Sequence, residues 1–330
     1  MQNGSPLVKV VAVWLAALMV VAVAAVVTVT MVNQRVFGPE RLVTDYFALL
    51  QAGEGEQALG LVGAEVPPGN ALLLDGEGLK ASVAPITDFR VAGTSRLSGG
   101  HVEVTTTYSV NESDHQTVFR LRKSGSEWMF FDRWRFEAPH LPVLQVRADT
   151  TNEVRVNGLA SPLSKGVQGV PTMLPSVVEA SYETKYFEAP AKTRVVDAGP
   201  AAEREPLDLV TRPTERLVDE IDEQIRGYLD GCTAQQVLKP AACPLSYSTN
   251  ARVSADTIKW DVVGYPKIDV EAYQGGWVLR PLEVDTRLTL VEQDLMTGAF
   301  QEKTVTESFG FTARLSVGPE SVSVTPVMGD

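Results

Sequence analysis

Histidine and cysteine are scarce in this chain. Its 330 residues hold three histidines, His101, His115 and His140, and two cysteines, Cys232 and Cys243. Zinc and haem sites draw on those side chains, so a dedicated site of either kind is a poor fit. Aromatic residues make up 7%. Catalytic motifs are missing as well: there is no G-x-S-x-G, no G-x-x-x-x-G-K-[ST] and no H-E-x-x-H. Ser-x-x-Lys does not occur, because Ser161 and Lys165, like Ser181 and Lys185, stand four apart. A lysine that takes a serine proton must lie one helical turn away, and both stretches read as strand or loop. Charge is also absent from one long run, Val10 to Val32, which is bounded by Lys9 on one side and by Asn33, Gln34 and Arg35 on the other.

That run is the strongest signal present. At about 1.5 Å per residue a helix of this length reaches roughly 35 Å, enough to cross a hydrocarbon core of about 30 Å. A buried core helix is disfavoured, because the run is apolar on all faces and sits at the very N-terminus. A cleaved signal peptide competes with an anchor, since Ala22-Val23-Ala24 is a small-x-small site. The apolar stretch runs on to Val32, longer than the roughly 7 to 15 residues of a signal core, which favours an uncleaved transmembrane helix. Lys9 and the amine mark one flank, and Arg35 and Arg41, offset by Glu40, the other. This weak asymmetry and the single-pass plan place residues 1–9 in the cytoplasm and residues 33–330 outside it.

The net charge of −12 becomes −13 once Lys9, the one charge up to Val32, is set aside. A headpiece of that sign disfavours nucleic acid and anionic headgroups. Its roughly 300 residues exceed most single cores, so two or three domains are expected. In an oxidising space Cys232 and Cys243 would form a disulfide. Free buried thiols, half of a metal site or a redox pair are the alternatives, the last disfavoured by the lack of Cys-x-x-Cys.

Residues 39–62 have helical periodicity, with Leu42, Val43, Tyr46, Phe47 and Leu50 on one face and a break at Gly53 and Gly55. Another short helix fits within Asn70 to Ala84. Alternation then begins: Val102, Val104, Thr106, Tyr108 and Val110 form one face of a strand. Thr117, Phe119 and Leu121 continue the sheet, Lys123 to Ser126 reads as a turn, and Glu127 to Phe136 follows as a strand. From about Leu141 to Gly199 only short strands are visible, with a hairpin at Asn157-Gly158. Asp197 to Pro206, with Gly199 and Pro200, reads as a linker. Pro213 to Leu229 is helical, with Leu217, Ile221, Ile225 and Leu229 inward, and strands fill the rest to Val327.

Two stretches carry a family likeness. ERLVTDYFALLQAGEGEQALGLV and the later FDRWRFEAP resemble the NTF2-like cone domains of secreted and anchored actinobacterial proteins. VRVNG and MLPSVVEASYETKYFEAP resemble the small β modules of the membrane-anchored TcaA-like (teicoplanin-resistance-associated) family, with Leu174, Pro175 and Tyr182 at the matching positions. GC…ACP followed by IKWDVVGYPKIDV resembles a second cone. TcaA-like proteins carry a cysteine-rich zinc ribbon before the anchor; MQNGSPLVK has no cysteine, so no metal module is expected there. The resemblance implies a cell-envelope role and carries over no catalytic residue.

The expected fold is α+β: a transmembrane helix over residues 10–32, an NTF2-like cone over 33–140, a small all-β domain over 141–200, and a second cone over 201–330 with a Cys232–Cys243 loop. Asp114 and His115 read as an exposed hairpin tip, Glu137 and His140 as a domain junction, and His101 as a surface group beside Gly99-Gly100. Trp128, Trp134, Trp260 and Trp277 read as core or cone filling. If a cone pocket exists, Tyr46, Phe47, Tyr108 and Trp134 are its expected lining. The expected function is a non-enzymatic, single-pass envelope scaffold or binding protein, partnered by another envelope protein or a wall polymer, with no cofactor, metal or catalytic residue. The alternatives are a small-molecule or lipid-carrier binder, and an enzyme in which carboxylates, or a carboxylate and a histidine, converge in a cleft.

Overall fold

The computed structural model describes residues 6–35, 37–127, 131–137, 140–197 and 205–327. Trp128, Gly199, Pro200 and residues 1–5 of the expected tail lie outside them. Helix α1 spans Pro6–Arg35. Its segment Val10–Val29 is unburied and long and apolar enough to cross a membrane, properties that a signal sequence shares. The remainder is mixed α+β with curled antiparallel sheets. The chain divides into two compact units, one of 1–147, 155–180 and 192–208, the other of 148–154, 181–191 and 209–330.

The first unit opens with helices α2 (Pro39–Ala52), α3 (Gly55–Val62) and α4 (Gly76–Val83). Pro39 suits the first turn of α2, where its missing N–H goes unused. Gly53, at φ 75°, closes that helix in the left-handed region that glycine adopts most cheaply. Val43, Tyr46, Phe47 and Leu50 bury one face of α2. Gly55 lies so close to the Leu74 carbonyl that a Cβ there would collide with it, and its N–H donates to Asp75 Oδ1 at 2.8 Å. α3 is thereby tied to the start of α4.

Strands β1 (Thr87–Arg96), β2 (His101–Val110), β3 (Ser113–Glu127) and β4 (Phe131–Phe136) then form an antiparallel meander in sequence order. β2 alternates strictly between buried and half-buried positions, as its sequence does. Register shifts in β1, and in β3 between Lys123 and Gly125, bend the sheet. Lys123 to Ser126 are therefore part of a bulged strand and not the expected turn. The core between helices and sheet is rich in rings: Phe47 stacks on Phe89 at 3.7 Å between centroids, and Tyr46 lies 5.5 Å from Phe136 and 5.8 Å from Phe119.

The described residues between 143 and 213 supply the strands β5 (Val143–Ala148), β6 (Glu153–Val156), β7 (Leu159–Pro162), β8 (Val167–Pro171), β9 (Ser176–Glu183), β10 (Phe187–Val196), β11 (Leu207–Leu209) and β12 (Arg212–Pro213). They pair in the orders β12-β10-β9-β6-β7 and β11-β5-β8. Asn157 (φ 47°) and Gly158 (φ 82°) make the β6–β7 turn, and the Asn157 side chain bonds the Val177 carbonyl and the Glu179 N–H.

In the second unit helix α5 (Glu215–Thr233) is capped by Thr214, whose hydroxyl accepts from the Leu217 N–H. Leu217, Ile221, Ile225, Leu229 and Cys232 bury one face. Cys232 and Cys243 are disulfide-bonded, with Cα atoms 5.8 Å apart. The main sheet is built on β17 (Leu282–Gln293) and β18 (Phe300–Val317). β13 (Arg252–Val253) and β14 (Lys259–Gly264) pair with β17, and β19 (Val322–Val327) with β18. β15 (Val270–Tyr273) and β16 (Gly276–Leu279) form a separate hairpin. Trp260 is buried and donates to the Val237 carbonyl at 2.9 Å, and Trp277 stacks on Phe187 at 4.6 Å.

Candidate functional site

The largest cleft described lies in the first unit, beside strand β4, with a volume of about 1070 Å³. β4 is an edge strand of the four-stranded sheet, so one side of it is left for the cleft. The start of α2 forms another wall through Gly38, Arg41 and Leu42, and the end of α3 contributes Gly60 to Gly63. Phe37 enters from just ahead of α2 and stacks on Phe131, the first residue of β4, at 4.6 Å.

The cleft is rich in charge. Four arginines line it, Arg41, Arg122, Arg133 and Arg135, along with Asp45, Asp132, Glu137 and His101. Arg41 pairs with Asp45 at 3.0 Å, one helical turn on, and Lys123 pairs with Asp132 at 2.5 Å. His101 Nδ1 lies 2.5 Å from Glu137 Oε1, both side chains more than a third exposed. His101 is thus one of the cleft's walls, and Glu137 meets it; the expected neighbour of Glu137, His140, is exposed and lines none of the cavities described.

A second cavity of about 560 Å³ lies over the ring cluster. Tyr46, Phe119, Phe136, Leu141 and Leu174 give it an apolar floor, and Glu103, Arg120 and Glu137 give it a charged rim. Of the four side chains expected to line a pocket, Tyr46 lines this cavity and Trp134 lines the larger cleft. Phe47 and Tyr108 are core residues, 4% and 2% exposed, and line neither. Burial pushes the Tyr46 hydroxyl far above the usual tyrosine range, against a backbone hydrogen bond with Leu174. Burial likewise pushes Tyr108 up to about 12; the hydrogen bond with Thr117 opposes this and the charge of Asp197 adds to it. Both phenols stay neutral at ordinary pH, which suits packing.

Asp114 and His115 are not at a hairpin tip. The turn is made by Asn111 and Glu112, both at positive φ, and β3 has begun by Ser113. Asp114 accepts from the Ser109 hydroxyl at 3.0 Å. His115 stacks over Tyr108 at 5.8 Å and lies 3.4 Å from Asp197, which anchors the end of the middle segment to β3. Among the described residues no group of three or more His, Cys, Asp and Glu gathers as a metal cage.

The arginines escaped sequence reasoning, although a signal was present. Arg120-Leu121-Arg122 and Arg133-Trp134-Arg135 both place two arginines at strand spacing, so each pair shares one face of the sheet. Compared with family models, characterised proteins and solved structures, the chain matches none.

Proposed function

We propose that this chain is a single-pass membrane protein of the cell envelope whose extracytoplasmic part binds an envelope component, and is not an enzyme. The observation that carries the reading is the closeness, along the chain, of the apolar helix and the charged cleft. α1 ends at Arg35 and the cleft begins at Phe37. A cleft so near the end of a span is suited to something at the membrane surface. The disulfide fits an oxidising, extracytoplasmic compartment. In this reading residues 33–140 are an NTF2-like cone, with α2, α3 and α4 covering a curled meander, residues 141–200 are a small β domain, and residues 201–330, with α5 and the β17–β18 sheet, are a second cone. The likeness of the middle segment to TcaA-like modules supports an envelope role.

The test is capture of partners by the full chain, solubilised in detergent, from an envelope extract that includes wall polymer. Specific recovery that is lost when the cleft is mutated supports the reading; recovery of nothing specific, together with turnover of an envelope substrate, overturns it. Labelling of a cysteine engineered near residue 200 in intact cells tests the topology, and protection until lysis reverses it.

The His101–Glu137 contact favours a second reading, acid–base catalysis, in which Glu137 orients the imidazole. On that reading His101→Ala abolishes turnover and leaves capture intact. The smaller cavity gives less support to a lipid-carrier binder, because Glu103, Arg120 and Glu137 interrupt its apolar lining.

A further inference from the structure

We propose that Arg122 and Arg135, with His101 beside them, form a binding site for a phosphate-bearing anion. The proposal rests on the membrane-anchored binding reading above and names the ligand chemistry of its cleft.

Two adjacent rows of side chains cross strands β2, β3 and β4. In one, Glu103 stands opposite Arg120, and the Glu137 N–H donates to the Arg120 carbonyl at 2.9 Å. The signs there run acid, base, acid, and Arg120 Nε bonds Glu103 at 3.0 Å. In the other row His101 stands opposite Arg122, and Arg122 opposite Arg135. Every member is basic. Directly opposed residues hold their Cβ atoms about 5 Å apart, and like charges in that position destabilise a sheet. The first row shows how an ordinary solvated face relieves this; in the second row Glu137 reaches across to His101 and leaves the two arginines without such relief. Among the described residues neither Arg122 nor Arg135 has an ion-pair partner: Glu103 is paired with Arg120 and Glu137 with His101.

The missing counter-charge fits a ligand. Arginine forks suit the oxygens of phosphate, and two forks side by side offer several donors to one group. Both arginines are exposed and line the large cleft. The acidic field of the whole headpiece does not cancel this, because charges beyond roughly 8 Å are largely screened at physiological salt.

The site is also within reach of lipid. From Val29 six helical residues lead to Arg35, about 9 Å, and three more lead to Gly38, at most about 10 Å. The cleft wall at Gly38 is therefore within roughly 20 Å of the hydrocarbon edge. An anionic lipid headgroup and a soluble phosphate share the chemistry, and the experiment separates them.

The full chain in detergent micelles is analysed by native mass spectrometry with added phosphatidylglycerol or phosphatidylcholine, and by calorimetric titration with inorganic phosphate. The variants are R122Q/R135Q and, as control, R120Q. The expected result is retention of phosphatidylglycerol over phosphatidylcholine, weakened about tenfold or more in R122Q/R135Q and unchanged in R120Q. Phosphate binding with that same dependence but no lipid preference supports the site and assigns its ligand to the soluble phase. The melting temperature of R122Q/R135Q without ligand is expected to hold or rise, since a like-charge contact is removed; a fall with loss of binding indicates a structural role and overturns the proposal. Binding of neither probe, or equal weakening by R120Q, also overturns it. Binding of neither probe with envelope capture intact refutes the anion proposal alone. A mature chain that lacks the span yet binds phosphate through these arginines refutes only the anchored reading.

Discussion

In the first unit three helices of 14, 8 and 8 residues cover the sheet, and the buried surface between is a cluster of rings: Tyr46, Phe47, Tyr108, Phe119 and Phe136. In the second the α-helix of 19 residues presents Leu217, Ile221, Ile225 and Leu229 to its sheet, and a disulfide fastens the segment that leaves the helix. Short helices are marginal on their own, so the first unit depends on tertiary contacts between large, stiff side chains. The second takes more from local periodicity, a cap and a covalent link. Both arrangements cover a sheet with helix, but different perturbations should reach them.

The comparison is broken most forcefully at Phe47, stacked on Phe89 and 4% exposed. Phe47→Ala is expected to cost about 3–5 kcal/mol. Hydrogen exchange should show protection lost in β1–β4 and kept in β17–β18; loss spread equally over both would mean that the two cores do not stand apart. Next in size is the cystine. Opening the loop, whose ends are 11 positions apart, through Cys232→Ser with Cys243→Ser is expected to cost about 3 kcal/mol in the chain-entropy model. Its exchange signature should fall on α5 and β14 and spare the ring cluster. An unchanged melting curve would place the second unit's stability in its helix alone.

The smallest effect near neutral pH is the titration of the buried phenols. The folded state holds Tyr46 and Tyr108 above the ordinary tyrosine value of 10, so it binds their protons more tightly than the unfolded chain does. Their contribution is complete below pH 10 and declines as pH rises toward about 12, the value for Tyr108. Tyr228 and Tyr265 in the second unit are raised as well, one by burial and the other by its hydrogen bond to Asp230. Denaturant midpoints between pH 8 and 12 should therefore fall less steeply in Tyr46→Phe/Tyr108→Phe than in the parent. An identical slope would move the alkaline sensitivity to the second unit.

The elements legible in the sequence are those whose pattern and burial agree. The inward face of α2, the alternation of β2, the stripe of α5 and the Asn157-Gly158 turn follow from spacing or from turn chemistry that leaves little choice. The β2–β3 turn was harder because two-residue hairpins with both central residues at positive φ favour Asn-Gly. Here Asn111 is followed by Glu112, at φ 64°, so the strand restarts earlier than composition suggests and takes Asp114 and His115 with it. The bulge at Lys123–Gly125 imitates a turn for a similar reason: its Ser and Gly mark any departure from regular pairing. The charged cleft needed register. Arg122 and Arg135 lie 13 positions apart, and their opposition exists only once β3 and β4 are paired. The contact of His101 with Glu137 likewise depends on pairing, since it reaches from β2 across β3 to the residue that follows β4.

Three residues separate α1 from α2. With α1 in a bilayer, so short a leash confines the first unit to a thin layer over the lipid. Encounter with anything else held in that layer becomes a two-dimensional search at high effective concentration. A ligand that would be held only loosely in free solution could then occupy the cleft for most of the time, and lengthening those three residues with a flexible insert would dilute that advantage without touching a single contact.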